Sequence, residues 1–94
     1  MQIISAHKVE YKVIITTSEN CFDIGQTLSN LEQMLGHPFF RIRNNVIINL
    51  YRIKYFNKDK NKVIMDNESF FVVAKRRKNE FLKIINNYTF EKVG

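Results

Sequence analysis

The sequence predicts one mainly β domain, built of antiparallel β-sheets with two short helices. The 94 residues suffice for a single modest core, since 45% are hydrophobic and 13% aromatic. Short β-branched or aromatic runs recur at close spacing with turn residues between them, which is typical of antiparallel sheets. One proline, three glycines and the absence of a low-complexity stretch give no sign of a linker, so we expect one domain over residues 1–94.

The predicted strands are apolar or β-branched runs bounded by polar turns. They cover residues 2–5, 11–17, 21–24, 39–42, 46–48, 53–56, 62–65 and 69–73. Ser18-Glu19-Asn20 and the polar stretch 57–61 are the turns of two hairpins, and Asp66-Asn67-Glu68 is a further turn.

Two segments have helical periodicity. Residues 27–35 place Leu28, Leu31 and Leu35 on one face with Met34 beside them, and Thr27 is a suitable N-cap. Gly36 and then Pro38 end this helix. Residues 75–87 repeat apolar residues at helical spacing and end at an Asn pair; the tail that follows has no assignable pattern.

The sequence offers little for catalysis, and we expect no enzyme activity, metal or cofactor. His7 reads as a surface loop residue, His37 as a turn residue and Cys21 as a small core side chain, and their spacing suits no metal site. The chain shows neither a signal-peptide pattern nor an apolar run that could span a membrane. With a single cysteine, a cytoplasmic location is expected.

The net charge of +6 is distributed unevenly. Thirteen of the fifteen Lys and Arg residues lie within residues 41–94, whereas residues 1–40 are slightly acidic. Charge that serves only solubility would not segregate in this way. The excess therefore favours a face for a polyanion such as nucleic acid or anionic lipid.

Two polar clusters could form that face. Arg43-Asn44-Asn45 lies between two apolar strands and projects side chains that can bond guanine and adenine in the major groove, although an ordinary Asn-rich turn is the alternative. Residues 75–78 (KRRK) open the last helix, where cations are unfavourable unless a phosphate binds them and the free N–H groups. A solvated basic helix end is the alternative there.

The order of these elements resembles the LytTR domain of bacterial transcription regulators. The resemblance is carried by the segments TLSNLEQML, FFRIRNNVIINLYRI and FFVVAKRRKNEFLKII and covers roughly residues 2–87. The family pattern is F-x-R-x-H-R-S before an apolar run, then a last strand running into Ser-Arg-Arg. Here Arg43-Asn44-Asn45 replaces His-Arg-Ser, and Ala74-Lys75 stands where Ser often precedes the final Arg, which changes the bases that could be read. By this resemblance the chain begins after the opening strands of the family domain.

The resemblance implies sequence-specific binding to double-stranded DNA, with loops entering successive major grooves. Carried onto this sequence, the positions for base contacts are Tyr11, Arg43, Asn44 and Arg76. Phosphate contacts are then expected from neighbouring polar or basic side chains: Lys8, Lys12, Asn45, Lys54, Lys75, Arg77 and Lys78. The implied role is that of a transcription regulator, with a homodimer on repeated sites as one arrangement.

Two other functions stay open. The first is a protein-interaction or homodimerisation module, which needs no basic excess and would use exposed phenylalanines: Phe39, Phe56, Phe70 and Phe71. The second is an RNA-binding domain with bases stacked on sheet aromatics, for which Tyr51, Tyr55 and Phe56 alternate poorly.

Overall fold

Two β-sheets and two helices build the fold, which confirms the predicted fold class. The computed structural model describes residues 2–86 and 91–93. The strands are β1 (Ile3–Val9), β2 (Lys12–Thr17), β3 (Cys21–Ile24), β4 (Phe39–Arg43), β5 (Val46–Asn49), β6 (Ile53–Asn57), β7 (Lys62–Met65), β8 (Phe70–Val72) and β9 (Glu91–Val93). The helices are α1 (Leu28–Leu35) and α2 (Lys75–Ile85), and a short 3-10 turn covers Leu50–Arg52.

The strands form a five-stranded and a four-stranded sheet. The first has the order β3-β2-β1-β5-β4 and is antiparallel throughout. The second has the order β8-β7-β6-β9, in which β9 runs parallel to β6 and the other pairs are antiparallel. All eight predicted strands and both predicted hairpin loops are present, and six of the strands have shifted ends. The ninth strand falls in the tail that the sequence left unassigned.

The five-stranded sheet is buried on both faces at β5. Val46 and Ile48 belong to a core shared with the second sheet and α2, whereas Ile47 packs with α1. Successive residues of a strand point to opposite faces, so an unbroken apolar run such as Val46-Ile47-Ile48 suits a strand covered on both sides. The two cores therefore hold α1 and α2 on opposite faces of this sheet.

Two register shifts interrupt this sheet, and the first changes which face a residue occupies. One lies between Ile3 and Ser5, so that Ile4 joins the core with α2 while Ala6 joins the core with α1. The other lies between Arg41 and Arg43. There the carbonyl of Ile42 accepts a hydrogen bond from the Ala74 N–H at 2.9 Å. The second bulge thus ties the start of α2 to β4.

Helix α1 begins and ends where its caps predict. The Thr27 hydroxyl accepts from the Asn30 N–H at 3.1 Å, and Gly36 ends the helix with a φ of 59°, which glycine adopts readily. Leu28 and Leu31 are buried against the sheet. The expectation that Met34 accompanies the leucine face is wrong, because its side chain is 70% exposed.

Helix α2 is fixed by two buried side chains, Phe81 and Ile85. Phe81 is fully buried, with its ring centroid 5.0 Å from that of Phe56 in an edge-to-face arrangement and 5.8 Å from that of Phe40. Ile85 is buried one turn later, and Asn86 follows the last helical residue. Phe81 and Ile85 therefore anchor the helix that carries the KRRK segment.

Three other expectations are wrong. Cys21 is exposed because it lies in β3, an edge strand whose first three residues face solvent. His7 is a strand residue, since β1 continues to Val9 and pairs with β2 up to the match of Val9 with Lys12. Phe56, expected as an exposed edge, is fully buried.

Candidate nucleic-acid interface

The turn between β4 and β5 lies where three parts of the chain meet. Arg43 pairs with Val46, so Asn44 and Asn45 form the two-residue turn. The carbonyl of Asn45 accepts from the Lys8 N–H at 2.9 Å, which places the end of β1 beside the turn. Both turn residues and the preceding strand residue, Arg43, are exposed.

The start of α2 reaches the same turn from the other side. Arg76 donates a hydrogen bond from Nη2 to the Oδ1 atom of Asn44. Arg43 donates from Nη1 to the Val72 carbonyl at 3.2 Å, just before α2 begins. Arg43, Asn44 and Arg76, which are separated by up to 33 positions in sequence, are therefore neighbours on one exposed surface.

The contact with Arg76 fixes the orientation of the Asn44 amide. A guanidinium group has donors and no acceptor, so the amide oxygen must face Arg76. The Nδ2 amino group then points elsewhere and can donate to an acceptor outside the protein. Together, the three side chains offer mainly donors, which complement the acceptor atoms of phosphates and of guanine.

Tyr11 lies at the same end of the molecule, in the turn between β1 and β2. Its side chain is 94% exposed, and Glu10 beside it has a φ of 56°, which is uncommon for a residue other than glycine. An open pocket of about 270 Å³ separates this turn from Asn44 and is also lined by Lys8 and Gln26. Glu10 also lines it, so the residues around the pocket are not all basic or neutral.

Arg41 is a residue of this region that the sequence analysis did not single out. Its Nε and Nη2 atoms donate to the Asn44 carbonyl, the former at 3.1 Å. Its Nη1 atom donates to the Ser29 hydroxyl at 3.1 Å and to the Glu32 carboxylate at 3.2 Å. The strand pattern of the sequence could have indicated this residue, because Arg41 lies two positions after Phe39 and so shares its face of β4, which packs on the α1 core. An arginine on an inward-facing strand position requires partners.

Some of the predicted phosphate-contact residues lie near the β4–β5 turn, and others bind oxygen atoms of the protein. Lys8 and Lys75 are exposed beside the turn, and Arg77 is half-buried in the first turn of α2. Lys12 lies 3.7 Å from the Asp23 carboxylate, and Lys78 donates to the Lys58 carbonyl at 3.3 Å.

Lys54 is not brought to this surface. It lies at the start of β6, near the opposite end of the second sheet, where its Nζ atom donates to the Glu68 carboxylate at 2.6 Å. This hydrogen bond, with the attraction between the two charges, raises the pKa of Lys54 above its usual value of 10.5. Its positive charge is therefore balanced locally.

Among the residues that the structure describes, no side chain caps the N-terminus of α2. Ala74 occupies the N-cap position without a side-chain hydrogen bond, and the first turn has no acidic residue. Residues 75–78 add four positive charges at the same place, where a helix dipole disfavours cations. An anion bound there would be attracted by both the dipole and the side chains.

Residues 1–86 match the family of LytTr DNA-binding domains. The chain belongs to this family. A solved structure of the LytTr DNA-binding domain of a protein assigned as a methyl-accepting/DNA response regulator, from Bacillus cereus, has the same fold. The TM-score is 0.81 at 21% identity, over 88% of this chain and 80% of that chain. Among proteins with curated descriptions, none matches this chain.

The opposite end of the LytTR domain is organised around a second arginine. Arg52 forms an ion pair with Asp66 and donates to Gln2 at 2.9 Å and to Ser18 at 2.8 Å. These contacts join the residue before β1 to the turns after β2 and β7. The arrangement parallels that of Arg41, but the partners of Arg52 include no predicted DNA-contact residue.

Within residues 2–86 and 91–93, neither helix has the length and apolar character needed to cross a membrane. In the same part of the chain, no three His, Cys, Asp or Glu side chains are grouped as a metal site would require.

Proposed function

We propose that this LytTR domain regulates transcription in a bacterium by sequence-specific binding to duplex DNA. The surface that would bind comprises the β1–β2 turn, the β4–β5 turn and the start of α2, and is called the recognition face below. The observation that carries the proposal is the convergence of three exposed side chains, Arg43, Asn44 and Arg76, on this face. Membership of a family of DNA-binding domains supports the same conclusion.

The two turns would enter the major groove and read base edges. Arg43 and Arg76 supply the donors that pair with guanine O6 and N7, and Asn44 supplies its amide group. Tyr11 would contact DNA from the β1–β2 turn, where its exposed ring is not needed for packing. These four residues are the proposed base contacts.

Phosphate contacts would come from the margins of the recognition face. Lys8, Asn45, Lys75 and Arg77 flank the turns, and the α2 N-terminus, which has no side-chain cap, adds the positive end of its dipole. Lys12 and Lys78 would reach phosphate by leaving their present partners. Lys54 is omitted from the proposed interface because it lies at the other end and pairs with Glu68.

The alternative function, a protein-interaction module, relied on exposed phenylalanines, and most of these are buried or partly buried. Phe56 is fully buried, while Phe39 and Phe71 are partly buried. Phe70 is 57% exposed, on the edge strand β8, but its ring is covered by the Lys62 ammonium group 4.0 Å from the ring centre. The DNA-binding function instead uses the exposed cations of the recognition face and the ring of Tyr11.

The proposal is tested by fluorescence anisotropy of the purified chain on a randomised duplex pool and an RNA pool, from about 50 to 300 mM salt. We expect tight, steeply salt-dependent binding to the duplex, and sequencing of the retained DNA identifies the cognate site. The stoichiometry on this site tests whether two copies bind repeated sequences. Absence of duplex binding at low salt would contradict the proposal, as would equal retention of all sequences.

A further inference from the structure

Arg41 connects α1 to the recognition face although its side chain is only 18% exposed. It contacts Ser29 and Glu32, one helical turn apart in α1, through a single nitrogen. The remaining two nitrogens both donate to the Asn44 carbonyl. The guanidinium therefore lies between a helix that is fixed on the sheet and the turn that carries Asn44.

These contacts leave Arg41 poorly suited to bind a phosphate. Its charge is balanced by the Glu32 carboxylate 3.2 Å away, and its three nitrogens already donate to protein oxygens. Binding DNA would require Arg41, whose side chain is mostly removed from water, to leave its partners. Its side chain is suited instead to holding other atoms in place.

Asn44 is held by guanidinium groups at both of its oxygen atoms. Arg41 binds the main-chain carbonyl, and Arg76 binds the side-chain Oδ1 atom. The β4 bulge just before the turn also removes regular ladder pairing at this point. The position of the Asn44 side chain therefore depends on these two contacts more than on the β-ladder.

We propose that Arg41 is a positioning residue that holds Asn44 in the orientation needed to read a base, without touching DNA itself. This inference rests on the proposed function, since it concerns the same recognition face. Lysine cannot reproduce the planar fork that grips the Asn44 carbonyl with two nitrogens and α1 with the third. Replacing Arg41 by lysine keeps the charge and removes this geometry.

The first test compares Arg41→Lys with the wild-type chain on the cognate site and on random duplex. We expect the ratio of cognate to random affinity to fall about ten-fold, because the loss of a charge-assisted contact frees the turn. The salt slope should stay unchanged, since no phosphate contact is lost. Arg52→Lys is the matched control, because Arg52 is also 18% exposed and also binds a carboxylate and a serine, at the opposite end.

A second variant acts on Arg41 through its partner. Glu32→Gln removes a negative charge, so non-specific attraction to DNA should rise slightly. A loosened Arg41 should nevertheless lower the ratio of cognate to random affinity, in the same direction as Arg41→Lys. A simple charge effect would raise the affinity for cognate and random DNA alike and leave their ratio unchanged. A loss of positioning would lower the ratio.

Four results would overturn the inference. Equal losses on both DNAs in Arg41→Lys, or a salt slope lowered by about one unit in the uncharged variant Arg41→Gln, would make Arg41 a phosphate contact. An unchanged affinity ratio in either variant would leave it a structural residue only. An equal loss of the ratio in Arg52→Lys would show a general effect of stability. If the wild-type chain itself does not select a site, the proposed function fails first and the inference fails with it.

Discussion

Replacing Asn44 and Arg76 by alanine, singly and together, tests whether these residues read DNA as one unit. Each single change removes a proposed base contact and also the hydrogen bond between Arg76 Nη2 and Asn44 Oδ1. Arg76→Ala frees the amide to rotate, and Asn44→Ala leaves the Arg76 side chain without this acceptor. Each change therefore weakens the other contact as well as its own.

The expected cost of each single change is about 1 to 3 kcal/mol on the cognate site, with little effect on random duplex. Because each single change already disturbs both contacts, the double variant should cost less than the sum of the two. For side chains in direct contact, the difference is of order 1 kcal/mol. Both residues are exposed, so the folding stability should change little.

The assay is competition anisotropy on the cognate and random duplexes, with urea unfolding of each variant. Lys83→Ala is a suitable control, because Lys83 is exposed at the C-terminal end of α2, away from the β4–β5 turn. If the cost of the double variant equals the sum of the two single costs to within about 0.5 kcal/mol, Asn44 and Arg76 do not act as a coupled pair. Equal losses on random and cognate duplex would instead remove both residues from base recognition.

Three further predictions concern separate parts of the domain. Lys75→Ala should weaken binding to all sequences alike and lower the salt slope by about one unit in a salt titration; a site-specific loss would make it a base contact. Tyr11→Ala should change the free energy of unfolding by less than about 0.5 kcal/mol, because the ring is almost fully exposed, but should weaken binding to the cognate site. An unchanged affinity would place the β1–β2 turn outside the interface. Phe81→Ala should lower the free energy of unfolding, measured with urea, by about 3 to 5 kcal/mol. A loss below about 1 kcal/mol would mean that this side chain does not anchor α2.

Local patterns predicted the elements of this fold because turns and caps are encoded by neighbouring residues. Thr27 and Gly36 bound α1 through contacts within a few positions, and residues 62–65 form the predicted strand without any shift. The bulges at Ile4 and Ile42 were not predicted, since each depends on what a partner strand and a second core require. Cys21 was assigned to the core because its sequence does not reveal that β3 is an edge strand.

The site was only partly predictable for the same reason. The polar turn residues stand out in the sequence, but the contact between Asn44 and Arg76 spans 32 positions and needs the fold. Charge alone put Lys54 among the phosphate contacts, although the strand carries it to the opposite end. Arg41 occupies an inward-facing strand position, but the sequence does not reveal its partners in α1, which are nine or more positions away.

The most direct test of the recognition face is to map amide chemical-shift changes by NMR as the cognate duplex is added to the chain. We predict that the largest changes fall in residues 8–12, 43–46 and 74–77, with small changes around Arg52 and Asp66 at the opposite end. Random duplex should perturb the basic margins and leave Asn44 less affected. Changes centred on the Arg52 end, with the β4–β5 turn unaffected, would contradict the account.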